Sequence, residues 1–107
     1  MELAIIQQKV DNWISRNGGY WSPLSMLAAV MEEVGEVARE INAVEGPKVK
    51  RENVHTPPKI NEELADLFFA VICMNNYYQI DMEKELLAII SKYEQRDANR
   101  FTKNNHK

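Results

Sequence analysis

The chain has 107 residues, enough for one domain with a modest core and too few for two. Its net charge of -3 leaves no broadly basic surface, so duplex nucleic acid finds no electrostatic footprint. The single cysteine, Cys73, excludes an internal disulfide framework and a cysteine-ligated zinc site; it stands in an apolar run and reads as an inert core residue.

Four predicted helices account for nearly the whole chain, which makes the expected fold all-α, an antiparallel four-helix bundle in a single domain over 1–107. The first covers about 2–16, with Leu3, Ile6, Val10 and Trp13 at helical spacing, and Gly18-Gly19 ends it. The second opens at Ser22-Pro23, an N-cap followed by proline at the first helical position. Its expected seam is Leu24, Leu27, Met31, Val34, Ala38 and Ile41, and Gly46-Pro47 closes it. A polar connection of about a dozen residues follows, carrying Lys48, Lys50, Arg51, His55 and Pro57-Pro58; its length makes it a candidate functional loop. The third helix, about 59–78, is apolar on every face after Asp66 and is expected to be the central, most buried one. The fourth begins at Asp81, a plausible N-cap, and runs to about 100, leaving a polar tail that is expected to fray. No signal peptide precedes the first helix, and the longest apolar run, 67–74, is far too short to span a bilayer. The expectation is a cytoplasmic protein without a membrane partner.

Two acidic pairs of one shape stand out: Glu33-x-x-Glu36 within Glu32-Glu33-Val34-Gly35-Glu36, and Glu63-x-x-Asp66 within Glu62-Glu63-Leu64-Ala65-Asp66. Residues three apart share a helix face, so each pair points two carboxylates the same way. Helical glutamates are usually solvated, but position argues otherwise here. At about 100° per residue, Glu63 and Asp66 fall on the stripe continued by Ala70, Cys73, Met74 and Tyr77, an apolar stripe. Carboxylates at such positions must be paired or coordinated. Glu33 borders the apolar arc of the second helix with Glu36 beside it, whereas Glu32 and Glu40 fit at most a supporting place. In an antiparallel hairpin the pairs lie roughly 14 Å and roughly 10 Å from the connected ends, less than one turn apart. Four carboxylates in one place repel one another, and a hard divalent cation removes that cost. The histidines, His55 and His106, stand in no Glu-x-x-His motif, and each reads as an ordinary surface residue. An all-oxygen set with room for water suits Mg2+, with Mn2+ possible.

The fourth helix offers cations. Arg96 and Arg100 continue the face of Met82, Leu86, Ile89 and Tyr93, with Lys92 one turn before Arg96. They could reach inward to phosphate; the plainer reading is surface arginines or intersubunit salt bridges. Trp21, beside the N-cap of the second helix, could stack on a base or serve as a hydrophobic anchor.

The acidic pattern, Glu-Glu-x-x-Glu and then Glu-x-x-Asp some two dozen residues later, resembles that of the MazG-like nucleoside triphosphate pyrophosphohydrolases, within the all-α NTP pyrophosphatase superfamily. Gly19-Tyr20-Trp21-Ser22-Pro23, the block from Glu32 to Glu40, Glu62-Glu63-Leu64-Ala65-Asp66 and the block from Lys92 to Phe101 resemble its small members in order, over about 3–103. The resemblance implies Mg2+-dependent hydrolysis of (deoxy)nucleoside triphosphates to monophosphate and pyrophosphate, with nucleotide-pool cleansing as one conceivable role. It implies Glu33, Glu36, Glu63 and Asp66 as metal ligands and Glu33 or Glu36 as the group that activates water. Asn76 matches a family asparagine, and Trp21, Lys92, Arg96 and Arg100 complete the expected substrate contacts. At Asn75 a small residue is more usual. Relatives assemble as homodimers or homotetramers, and the bundle is expected to be completed in that way. Two rival readings remain: a non-catalytic helical assembly module with the acids bridging to Arg39, Arg96 or Lys92, and an enzyme like phosphoribosyl-ATP pyrophosphohydrolase.

Overall fold

The computed structural model describes residues 2–45 and 59–100, the last two by backbone alone; the connection 46–58, with Lys48, Lys50, Arg51 and His55, and the tail with His106 lie outside them. Four helices follow in order: α1 Glu2–Arg16, α2 Pro23–Glu45, α3 Ile60–Tyr77 and α4 Met82–Arg100. No strand occurs among the described residues.

Local chemistry sets the helix ends. After α1, Gly18 and Gly19 adopt φ of +105° and +85°, and the Gly19 N–H reaches back to the Ile14 carbonyl at 2.9 Å. That six-to-one bond closes the helix in a left-handed turn, which side chains with a Cβ rarely adopt. Ser22 caps α2 through Oγ, accepting the Ser25 N–H at 3.2 Å, and Asp81 caps α4 by accepting the Lys84 N–H at 3.2 Å. α3 has no capping side chain of its own. Its cap comes from α2 instead, where Glu40 Oε1 accepts the Lys59 N–H at 3.1 Å. A carboxylate at a helix start also meets the positive end of the helix dipole.

That bond fixes the α2–α3 hairpin as antiparallel, with Glu40 at the start of α3 and Glu33 about two turns further along it. α2 and α1 both pack on α3, so α3 is central as expected. The core is small: Val10, Met26, Ile72 and Cys73, with Ile14, Tyr20 and Met74 packed against it.

Two expectations about faces need correction. The seam predicted for α2 does not face α3: Leu24, Leu27, Met31, Val34 and Ile41 are exposed, and Met26 is the buried apolar residue of α2. The face of α2 turned to α3 carries Met26, Val30, Glu33, Val37 and Glu40, buried or half-buried. A helix with apolar residues on two sides has two faces to cover, and periodicity alone does not say which one its own chain covers. On α1, likewise, Val10 is buried with Gln7, while Ile6 and Trp13 of the predicted stripe stay about half exposed. α4 meets α1 near its first turn, where Ala4, Asp81, Glu83, Lys84 and Leu87 line a shared groove. Its apolar residues Leu86, Leu87, Ile89, Ile90 and Tyr93 remain exposed.

The α1–α4 junction is polar. Gln7 Nε2 donates to Asn76 Oδ1 at 2.9 Å and to the Ile80 carbonyl at 3.0 Å. Gln7 Oε1 accepts the Met82 N–H at 3.2 Å, and Asn76 Nδ2 donates to the Gln7 carbonyl at 3.0 Å. A nearly buried glutamine thus ties α1 to the end of α3 and the start of α4.

Candidate active site

The hairpin brings carboxylates from both helices together. Glu33 of α2 and Glu63 and Asp66 of α3 each place an oxygen within 4.8 Å of the others. Glu36 stands one turn along α2, close enough to act on Glu63, and its Oε2 is 3.9 Å from Arg39. Partial burial, and then the charges of Asp66, Glu36, Glu33 and Glu40, push the Glu63 carboxyl above the usual carboxylate range. Glu32 is exposed on the far side. The oxygen spacing suits one hard cation held between the two helices, and the mutual repulsion is the strain that such a cation relieves.

Beside the acids lies a cavity of about 320 Å³, between the end of α1, the Gly18-Gly19 turn, α2 and α3. Its walls carry the rings of Trp13, Tyr20, Trp21 and Phe69, and Glu33 and Asp66 stand at its acidic end. The small side chains Ala29 and Ala70 leave room in it, and Met26 and Cys73 also line it. Trp13 and Phe69 meet edge to face at 5.9 Å between centroids, and Tyr20 meets Tyr77 in the same manner at 6.2 Å. The Tyr20 hydroxyl donates to Asp11 Oδ1 at 2.5 Å. Burial and that bond raise its pKa to about 12. Burial also raises the Cys73 thiol, in keeping with a protonated, unreactive core cysteine.

Of the residues expected at the site, Glu33, Glu63 and Asp66 converge, Glu36 stands beside them and Trp21 lines the cavity. Asn76 does not line it; it sits ten residues along α3, bonded to Gln7. Lys92 and Arg96 are exposed on α4. Arg96 lies 4.8 Å from the Tyr93 ring centroid, with Nε 3.0 Å from Asp97 Oδ1. The side chain of Arg100 lies outside the described residues. Asn75, the noted departure, is buried, and its Nδ2 meets no hydrogen-bond partner among the described residues. The aromatic cavity itself was not foreseen: Trp13 and Phe69 read as core residues, and only the fold places them opposite Tyr20 and Trp21.

Comparison with known proteins decides the family. The family model described as the MazG nucleotide pyrophosphohydrolase domain matches residues 21–101. The chain belongs to the MazG family. It is 36% identical over 99 residues to the uncharacterized protein YpjD of Bacillus subtilis, covering 92% of this chain and 88% of YpjD. The crystal structure of YpjD, described as a candidate pyrophosphatase, superposes with a TM-score of 0.76 at 35% identity, over 84% of this chain and 92% of that one. The crystal structure of a Bacillus-conserved MazG protein, described as a nucleotide pyrophosphohydrolase, gives a TM-score of 0.74 at 37% identity, over 90% and 93%. The all-α fold and hydrolase class expected from the sequence therefore hold, and the chain is a MazG-type nucleotide pyrophosphohydrolase.

Proposed function

We propose that this MazG-family hydrolase cleaves (deoxy)nucleoside triphosphates between the α and β phosphates in a Mg2+-dependent reaction, releasing a nucleoside monophosphate and pyrophosphate. The observation that carries this reading is the meeting of Glu33, Glu63 and Asp66 at the acidic end of an aromatic cavity of nucleobase size. Those three side chains, with Glu36 adjacent, would hold the cation. Magnesium there supplies charge neutralisation for phosphate oxygens and acidifies water at neutral pH. The rings of Trp21 and its neighbours take the base by stacking and exclude water around it.

Glu36, less committed to the cluster, and Glu33 are the candidates to accept the proton of the attacking water. The water oxygen forms a new bond to one of the two phosphorus atoms flanking the α–β bridging oxygen, the bridge breaks, and the leaving phosphate takes the electron pair. Charge developing on the phosphates calls for cations. Lys92, Arg96 and Arg100 are the proposed partners. Because Lys92 and Arg96 do not line the cavity of their own chain, that contact belongs to a homo-oligomer, in which α4 and the outward seam of α2 are covered. Asn76, bonded to Gln7, holds the helix junction about 15 Å along α3 from the acids, and no substrate contact is assigned to it in this reading.

Product analysis by phosphorus NMR, with magnesium and with excess chelator, tests the reading. Pyrophosphate and monophosphate, formed only with the metal, are expected. Diphosphate with orthophosphate would place cleavage at the β–γ bond, and turnover in chelator would remove the metal from the mechanism.

A further inference from the structure

Tyr20 stands on the non-helical link between α1 and α2 and is one of the walls of the aromatic cavity. Its hydroxyl donates to Asp11 Oδ1, nine residues earlier on α1. Asp11 lines a separate polar groove with Gln7, Gln8, Asn76 and Gln79. The hydroxyl is therefore spent outside the aromatic cavity, and the ring is what Tyr20 offers to it. Both partners are half-buried, which strengthens the bond relative to one in open water.

The level of Tyr20 along α3 follows from its contacts. Trp13, near the end of α1, meets Phe69, which follows Asp66 by about one turn and so stands level with the acids. After the Gly18-Gly19 turn the chain doubles back, and Tyr20 meets Tyr77 edge to face at 6.2 Å. Asn76 and Cys73 also act on its hydroxyl. Residues 73–77 lie about 10–16 Å along α3 beyond Asp66, so Tyr20 stands at the end of the cavity remote from the acids. No helix holds the link there. The bond to Asp11 and the edge contact with Tyr77 fix the ring, and Trp21, the next residue, brings a second ring to the same cavity.

We propose that Asp11 is a positioning residue for the nucleotide: by holding the Tyr20 hydroxyl it sets the place of the Tyr20 and Trp21 rings, and with it the fit of the base. The inference rests on the nucleotide reading given above and adds to it a residue outside the cavity walls. A ring already held in its bound place needs less ordering when the base arrives. Loss of the tether weakens the binding of substrate and transition state alike and leaves the chemical step as it was. That pattern reads as a higher KM at unchanged kcat. Its scale is that of one hydrogen bond, about fivefold.

Steady-state kinetics with magnesium and the standard deoxynucleoside triphosphates test it, on Asp11→Ala, Asp11→Asn, Tyr20→Phe and the double variant of Asp11→Ala with Tyr20→Phe. Asp11→Ala and Tyr20→Phe should each raise KM about fivefold, and the double variant should be no worse than either. Asp11→Asn, which keeps an acceptor oxygen, should recover most of the loss. Ultraviolet titration shows whether the bond has gone: in Asp11→Ala the phenol near 12 moves down. Calorimetry with the corresponding deoxynucleoside monophosphates reads the cavity without hydrolysis. Weaker monophosphate binding by Asp11→Ala, with no pyrophosphate released by any form, would remove the hydrolysis and keep the role of Asp11. An unchanged KM and monophosphate affinity while the phenol moves, a fall in kcat alone, or additive losses in the double variant overturn the proposal. Should Asp11→Ala not fold, Tyr20→Phe decides, and an unchanged KM there overturns it as well. Wild-type protein that neither binds nor cleaves a nucleotide overturns it together with the reading it rests on.

Discussion

Glu63 carries the clearest electrostatic signature of the site. Its pKa is raised by partial burial first and by four neighbouring acids next. For such a group the folded state holds the proton more tightly than the unfolded chain. Stability of the metal-free protein is then fullest below the ordinary carboxylate value and falls as pH rises through the raised folded value. Glu63→Gln is expected to raise the melting temperature of the metal-free protein at neutral pH and to lower turnover by about a hundredfold or more, the upper scale for groups that only support a metal's ligands. Thermal melts in chelator beside magnesium-dependent kinetics check both halves, and a destabilised variant with normal turnover would return Glu63 to a structural role. Tyr20 gives a second test with the opposite position on the pH axis. Its phenol, raised to about 12 from 10.0, stays protonated in the fold after the unfolded chain ionises, so the stability it contributes is lost between those values. Ultraviolet titration should show a late component, near 12, that vanishes in Tyr20→Phe. That variant should lose about 1 kcal/mol, the scale of one hydrogen bond.

At the scale of elements, the joints between helices are made by side chains that periodicity does not single out. Gln7 satisfies the Ile80 carbonyl and the Met82 N–H at the α3–α4 turn, and Glu40 caps α3 from α2. Gln7→Leu keeps a side chain of similar size but strands both backbone groups, and each unpaired group costs about 1–3 kcal/mol when buried. Urea unfolding should show a loss of about 2–6 kcal/mol on that basis. Magnesium-dependent turnover at low temperature should persist, because the joint lies about 15 Å along α3 from the acids. Loss of turnover in a still-folded Gln7→Leu protein would instead mean that the joint positions the cavity.

For the whole molecule, the exposed apolar faces are the deciding feature. The Cα radius of gyration is 18.3 Å, against about 13 Å for a compact chain of this length. Leu24, Leu27, Met31, Val34, Ala38 and Ile41 alternate three and four residues apart, the spacing by which one helix packs along another. α4 adds a second apolar face without a lengthwise partner among the described residues. The expected solution state is therefore a homodimer or larger. Met31→Glu should shift the species seen by sedimentation toward monomer and lower the melting point in a concentration-dependent way. A wild-type monomer at micromolar concentration would contradict this expectation.

Four helices, their caps at Ser22 and Asp81, the glycine stop after α1 and the acidic pairs were all legible in the sequence, because each depends on neighbours within a turn or two. The antiparallel arithmetic placing Glu33 against Glu63 and Asp66 was legible for the same reason, since rise per residue fixes height along a helix. Which side of α2 meets α3 was not, because that helix is apolar on two sides and the choice depends on what the rest of the chain, or a second copy, can cover. Nor was the cavity legible as a whole: Trp21 was a candidate for stacking on a base, but Trp13, Tyr20, Trp21 and Phe69 come from three separate segments, and only the packing of α1 on the hairpin gathers them beside the acids.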